Sequence, residues 1–372
     1  MKIIYRYLFK EILLITGATV GVLTILLVLF NVFKDVFDLL LNSDVPLLVI
    51  FKLVGLLIPF VLTYTLPWGL LLAVLLVFGR MSHDQELMAL KSSGMGLAPV
   101  IAPAIWLALG FSLFSFWINA YVAPESRSEF KNIGNELVNS NPMAFFTTQK
   151  PIDKFQGYRI YIGKKQGTTV EDVHIWQVDE NFTPVRSLRA DRAEVRPDLD
   201  GKRILLTLYN ARQEERDVKN PRDITKVRAG FRAVELPLEI SLAQLFEKVK
   251  GKKSLGGLTI WQIGQEVLNP TETPQGGSFT PFLTEIQKRV ALALSCFTFT
   301  LVGIPLAIQT QRRETSIGVA LSLAVAVAYY FIIFLAETLK KNANVFPELI
   351  IWAPNLIFQA LGFYLIWRMN KK

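Results

Sequence analysis

Few residues in this sequence are of types that do chemistry. Two histidines, His83 and His174, and a single cysteine, Cys296, are all it offers beyond its carboxylates, hydroxyls and basic residues. The histidines lie far apart in the chain, so neither a histidine-rich zinc site nor a Ser-His-Asp triad has the parts it needs. One cysteine also excludes an intramolecular disulfide. Nucleotide hydrolysis would need a glycine-rich loop ending in Gly-Lys-Ser/Thr, which surrounds phosphate with backbone donors and brings a hydroxyl to magnesium. The nearest approach runs from Gly157 to Gly163 and on into Lys164 and Lys165; it is too long, lacks the hydroxyl, and lies in an alternating stretch that reads as strand and turn. The expectation is a chain that is not an enzyme and binds no metal or cofactor of its own.

One segment does carry an organised set of charges. Gly79 to Gly96 contains His83, Asp84, Glu86 and Lys91 between two apolar runs. Ser82 and Gln85 match a capping box, Asp84 and Glu86 suit the positive end of a helix, Lys91 suits its last turn, and Gly94 can close it. A short helix near 82–94 is expected, either a plain turn between two spans or a coupling helix that seats in a groove of a motor subunit.

The elements that position this segment follow from hydropathy. Of the 372 residues 51% are hydrophobic and 19% charged, too apolar for a typical soluble domain. A helix needs about 20 apolar residues to cross the hydrocarbon. Six segments qualify: roughly Ile12 to Phe33, Pro46 to Val77, Leu97 to Val122, Ile286 to Gln309, Ile317 to Glu337 and Leu349 to Trp367. The first is too long for a signal-peptide core and reads as a retained helix. Pro59 and Pro67 should kink or tilt the second. The middles of all six are uncharged, which disfavours a proton- or sodium-driven carrier.

Lys2, Arg6, Lys10, Arg80, Lys91, Arg312, Arg313, Arg368, Lys371 and Lys372 fall on one side of such a bundle. The positive-inside rule makes that side, with both termini, cytoplasmic. The net charge of +9 is spread along these flanks and the insert rather than concentrated in a stripe, so nucleic acid is not an expected partner. The domain boundaries expected are 1–123, 124–281 and 282–372. The middle one is periplasmic, opening with a helical stretch from Glu125 to Val138. Period-2 runs such as Tyr158 to Ile162, Val173 to Val178 and Arg203 to Tyr209 then predict an all-β sandwich, jelly roll or barrel. Ile160, Ile162, Ile175, Val178, Leu206 and Leu208 read as its inward face. From Leu242 to Pro281 a short helix and a polar, Pro- and Gly-rich linker lead back to the membrane.

The loop from Gly79 to Gly96, with Leu66-Pro67 before it and Pro99 and Pro103 after it, resembles the LptF/LptG (YjgP/YjgQ) permease family. The opening Arg6-Tyr7-Leu8-Phe9-Lys10-Glu11, the Gly303-Ile-Pro-Leu306 run and the closing Trp352-Ala-Pro-Asn355 are similar to the same family. The likeness covers essentially the whole chain and leaves the choice between the two members open, the opening residues leaning towards LptF. It implies an inner-membrane permease subunit of the ATP-driven lipopolysaccharide exporter, with a periplasmic jelly roll. The implied partners are an LptB-like ATPase dimer that uses ATP and magnesium, a second LptF/LptG-like subunit, and LptC-like and LptA-like periplasmic proteins. Glu86 matches the acidic position that would meet the ATPase, with Asp84, His83 and Leu87 around it. Lys34, Lys340 and Lys341, at the outer ends of the first and fifth helices, break the positive-inside pattern and are candidates for lipid phosphate. A lipid carrier or scramblase without a motor, and a membrane-anchored scaffold, are the other function classes the residues allow.

Overall fold

The structure is a computed structural model that describes residues 2–31, 46–140, 148, 151–152, 158–178, 184–198, 203–215, 228–241, 255–269, 279–310, 315–340 and 345–371. In chain order its helices are α1 (Lys2–Asn31), α2 (Leu47–His83), α3 (Glu86–Ser92), α4 (Leu97–Trp117) and α5 (Ala123–Ser140), and then α6 (Ile260–Leu268), α7 (Thr280–Thr310), α8 (Thr315–Thr338), α9 (Pro347–Ile350) and α10 (Ala353–Asn370). The strands β1 (Tyr158–Gln166), β2 (Thr169–Val178), β3 (Pro184–Asp198), β4 (Arg203–Glu215) and β5 (Arg228–Ser241) lie between α5 and α6. Two compact units result, one holding the apolar helices with α6, the other holding the strands.

Six helical stretches are long and apolar enough to cross a membrane: Ile3–Asn31, Leu47–His83, Leu97–Gly134, Thr280–Gln309, Ala320–Thr338 and Pro347–Asn370. They fall where hydropathy put them, with three before the strands and three after, although α1 and α7 begin earlier than their apolar runs do. Pro59 and Pro67 are accommodated inside the continuous 37-residue α2. The hydroxyl of Tyr330 on α8 donates to the Tyr64 carbonyl at 3.0 Å, in the turn that Pro67 loosens. Between α4 and α5 the helix widens into a π turn over Ile118–Val122. There the buried Asn119 amide donates to the Ser115 carbonyl at 2.8 Å.

The most enclosed span is α7, with 78% of its most apolar window buried against 22–44% for the other five. It packs most closely against α4 and α10, and glycines shape its contact with α10 and the side-chain contact with α2. A Cβ on Gly303 would stand 3.0 Å from Leu71 of α2, and one on Gly362 of α10 would stand 2.8 Å from the Leu301 backbone. Without water to drive association, helices in lipid pack through such small residues and through interhelical hydrogen bonds.

The strands form one antiparallel sheet in the order β1-β2-β3-β4-β5, each pairing with its neighbour in sequence. Gly167, with φ of +58°, closes the tight turn between β1 and β2. Register places Ile160 opposite Ile175 and Val195 opposite Leu206. Alternation then gathers Ile160, Ile162, Val173, Ile175, Leu206 and Leu208 into a buried cluster. Val178, expected in that row, is half-buried beside an irregularity in register between Gln177 and Val178. Of the stretch from Leu242 to Pro281, expected to be helical and then polar, α6 is described, while residues 242–254 and 270–278 lie outside the described residues.

Candidate functional site

At one end of the helical unit α2 continues to His83, and two side chains of its last turns tie it down. Arg80 forms an ion pair with Glu11 and donates to the Tyr7 hydroxyl of α1 at 2.8 Å. Ser82, buried, donates to the Ile308 carbonyl of α7 at 2.9 Å. The capping box expected of Ser82 and Gln85 therefore does not form, because the helix runs through Ser82 and turns its hydroxyl inward. The break comes later, at Gln85, whose φ of +61° is left-handed and whose side chain makes no cap. Gly94, with φ of +84°, closes α3 as expected, and the Met95 amide reaches back to the Leu90 carbonyl at 3.1 Å.

The four residues expected here divide between two faces. Leu87 is buried in the same apolar cluster as Leu8, Ile12 and Phe78, so it anchors α3 rather than presenting itself. Met88 is the exposed apolar neighbour, at 61%. Asp84 is exposed, His83 and Glu86 are half-exposed, and the His83 ring lies 2.9 Å from the Asp84 carboxylate. The result is a short helix with an acidic, accessible start, held to the bundle by one leucine and by the fastenings of Arg80 and Ser82.

The opposite end of the same unit concentrates charge that sequence reasoning passed over. Lys34 and Lys341 lie outside the described residues. Lys340 stands 3.7 Å from Glu337. Glu337 also pairs with Lys288 at 3.1 Å, and Lys288 with Glu285 at 2.8 Å. Arg289 pairs with Glu285 at 3.2 Å. Arg127 of α5 lies over the Phe60 ring, 5.3 Å from its centroid, and has no carboxylate partner among the described residues. Tyr64, Asn119, Arg127, Glu285, Lys288 and Arg289 line a cavity of about 40 Å³. Glu285 and Glu337 hold Lys288 and Arg289, which leaves the Arg127 guanidinium as the lining cation to which an anionic oxygen would be drawn. The signal available in sequence was the Glu285-Lys288-Arg289 spacing, i to i+3 and i+4, at the head of an apolar run.

With six spans, an acidic helix at one end and a cationic cavity at the other, the chain matches over residues 6–368 the family described as lipopolysaccharide export system permease LptF/LptG. The chain belongs to the LptF/LptG family. It is also 25% identical over 127 residues to the uncharacterized protein RP871 of Rickettsia prowazekii (strain Madrid E), a match covering 34% of this chain and 35% of that protein. The chain thus spans about a third of the length of that curated relative. The LptF/LptG match takes in the residues of α3, of the cavity and of the strands. It does not separate LptF from LptG.

Proposed function

We propose that this chain is a transmembrane permease subunit of an ATP-driven lipopolysaccharide exporter, with its termini and α3 cytoplasmic and its strands periplasmic. Its own residues supply no nucleotide site, so ATP and magnesium are used by an LptB-like ATPase dimer. That dimer meets Asp84 and Glu86 at the start of α3. A second LptF/LptG-like subunit completes the membrane gate, and LptC-like and LptA-like proteins receive the lipid on the periplasmic side. The observation that carries this reading is the construction of α3: accessible acids on a helix too short to be stable alone, fixed by Leu87 to the bundle core. A force applied at Glu86 is delivered to α2, and from there to α1 through Arg80 and to α7 through Ser82.

At the other end, lipid phosphate is drawn to the outer-boundary cations. Arg127 joins Lys34, Lys340 and Lys341 as a candidate, because it lines the cavity with no carboxylate partner among the described residues. Lys288 is already held by Glu285 and Glu337 and serves the network instead.

Glu86→Lys tests the reading. In membranes carrying the full complex, nucleotide-dependent release of lipopolysaccharide is lost while the purified chain keeps its unfolding midpoint. Normal export with a normally assembled motor overturns the coupling role. Glycolipid movement by the purified chain alone in liposomes, without nucleotide, establishes the motor-independent carrier in its place.

A further inference from the structure

The short helix α6 is amphipathic in an unusual sense, because both of its faces carry apolar residues. Ile263 is fully buried on one side. On the other, Trp261 is 68% exposed and Leu268 80% exposed, with the exposed Gln265 between them at helical spacing. The helix is well specified. Its capping box is complete, with the Gln262 amide donating to the Thr259 hydroxyl at 3.3 Å and the Thr259 amide donating to the Gln262 side chain at 3.0 Å. A large outward tryptophan and leucine on so defined an element need something apolar to face.

The depth of α6 is set by Arg289. Its guanidinium donates to the Leu258 carbonyl at 2.7 Å and to the Leu255 carbonyl at 3.1 Å, on the turn just before α6. A Cβ on Gly256 of that turn would stand 2.7 Å from the Arg127 guanidinium, so the backbone is also held close to α5. Arg289 itself marks a level in the bilayer. From Val290 to Ile308 α7 carries no charge, and at 1.5 Å per residue that stretch is about 29 Å, the thickness of the hydrocarbon core. Glu285, Lys288 and Arg289 therefore stand at the edge of that core, and the carbonyls that Arg289 holds are at the same level. Tryptophan is the residue most at home where headgroups meet acyl chains, and leucine gains by entering them.

We infer that α6 lies in the bilayer boundary on the side where the chain between the third and fourth spans emerges, with Trp261 and Leu268 facing lipid and Arg289 fixing its depth. The helix belongs to the compact unit of the spanning helices and packs against α7, and the occupant of its outward face is the phospholipid leaflet itself. This inference uses the spans and α6 only, so it stands or falls separately from the export reading.

The test uses the full chain in phospholipid nanodiscs in a Cys296→Ala background. Leu268→Cys carries an environment-sensitive fluorophore, and Glu171→Cys, on an exposed position of β2, carries the same label as an aqueous control. Lipids bearing a nitroxide near the top of the acyl chain are expected to remove most of the emission at position 268, and iodide to remove little; the control shows the reverse. Arg289→Gln is expected to lower lipid quenching at 268 and raise iodide quenching, with the control unchanged. Iodide quenching at 268 equal to the control places α6 in water and overturns the inference. Protection from both quenchers overturns it too, since a second copy or the chain's own strands then cover the helix. Lipid quenching unaltered by Arg289→Gln removes Arg289 as the element that sets depth.

Discussion

The block of α7, α8 and α10 and the crossing of α1 and α2 at Thr19 are both built from apolar spans, yet their polar groups are held differently. In the block, Asn355 of α10 accepts from the Thr298 hydroxyl at 2.7 Å and donates to the Ala291 carbonyl at 3.0 Å, both on α7. Tyr329 of α8 shares its proton between that same carbonyl at 3.1 Å and Asn355 at 3.2 Å. Gln359 adds a bond to Thr298 at 2.9 Å. Asn355 and Tyr329 find these partners on neighbouring helices, so separating the helices strands them in a medium with no water. In the pair, the Thr19 hydroxyl reaches the Gly69 carbonyl across the seam at 3.1 Å, but it also reaches the Ile15 and Thr16 carbonyls of its own helix at 2.8 and 3.0 Å. If α1 moves away, Thr19 loses nothing it cannot replace. Elsewhere the pair is fastened, by the Thr24 and Thr65 hydroxyls at 3.0 Å and by Arg80 with Glu11, so the seam is loose at Thr19 and closed on either side of it.

The sharpest way to break this comparison is at the two glycine crossings. A methyl at Gly362 meets the Leu301 carbonyl carbon and oxygen at 2.8 Å, atoms of a helix backbone that have nowhere to go. A methyl at Gly69 meets the Val20 side chain at 2.5 Å and, at 3.2 Å, the Thr19 hydroxyl and the Val20 backbone nitrogen, which a small shift of α1 relieves. Gly362→Ala is expected to cost about 3 kcal/mol and Gly69→Ala about 1 kcal/mol, read as the loss of unfolding midpoint in detergent. Equal costs would mean that α1 is gripped as firmly as α10.

Asn355→Leu comes next. It keeps the volume and removes the group on which the network converges. Thr298 retains its bond to the Leu294 carbonyl at 3.2 Å and Tyr329 its bond to Ala291, so the damage is limited to about 2 kcal/mol. A change near zero would show that the three helices are held by packing alone.

Much of this was legible before any coordinates. Hydropathy found the spans, alternation found β1, β2 and β4, and Gly94 marked the end of α3, because each signal is local. The failures are equally physical. Ser82 was read as a cap because its type and spacing fit one, but its hydroxyl had a partner in Ile308, 226 positions away. The apolar run starting at Ile286 misses the first turns of α7, which begins at Thr280 and carries Glu285 to its partners Lys288 and Arg289. Leu87 was grouped with the accessible acids although its helix turns it to the core. Asn355 was noticed as part of a resemblance and not as a hub, since nothing in the spacing of Ala291, Thr298, Tyr329 and Asn355 announces that they meet. Lys34 and Lys341 lie outside the described residues, so only Lys340 of that trio has a position, beside Glu337.

The smallest expected effect is the one that defines the loose side of the comparison. Thr19→Val removes the only side-chain hydrogen bond from Thr19 to α2 and keeps the shape. Since the carbonyls of Ile15 and Thr16 stay bonded within their own helix, the sole acceptor left short is Gly69, which keeps its helical partner as well. The cost is expected below about 0.5 kcal/mol, under the average for hydrogen bonds between membrane helices. Measured beside Asn355→Leu in the same detergent, the two values should differ several-fold. If Thr19→Val proves as damaging as Asn355→Leu, the seam between α1 and α2 is as firmly held at Thr19 as where the Thr24 and Thr65 hydroxyls meet.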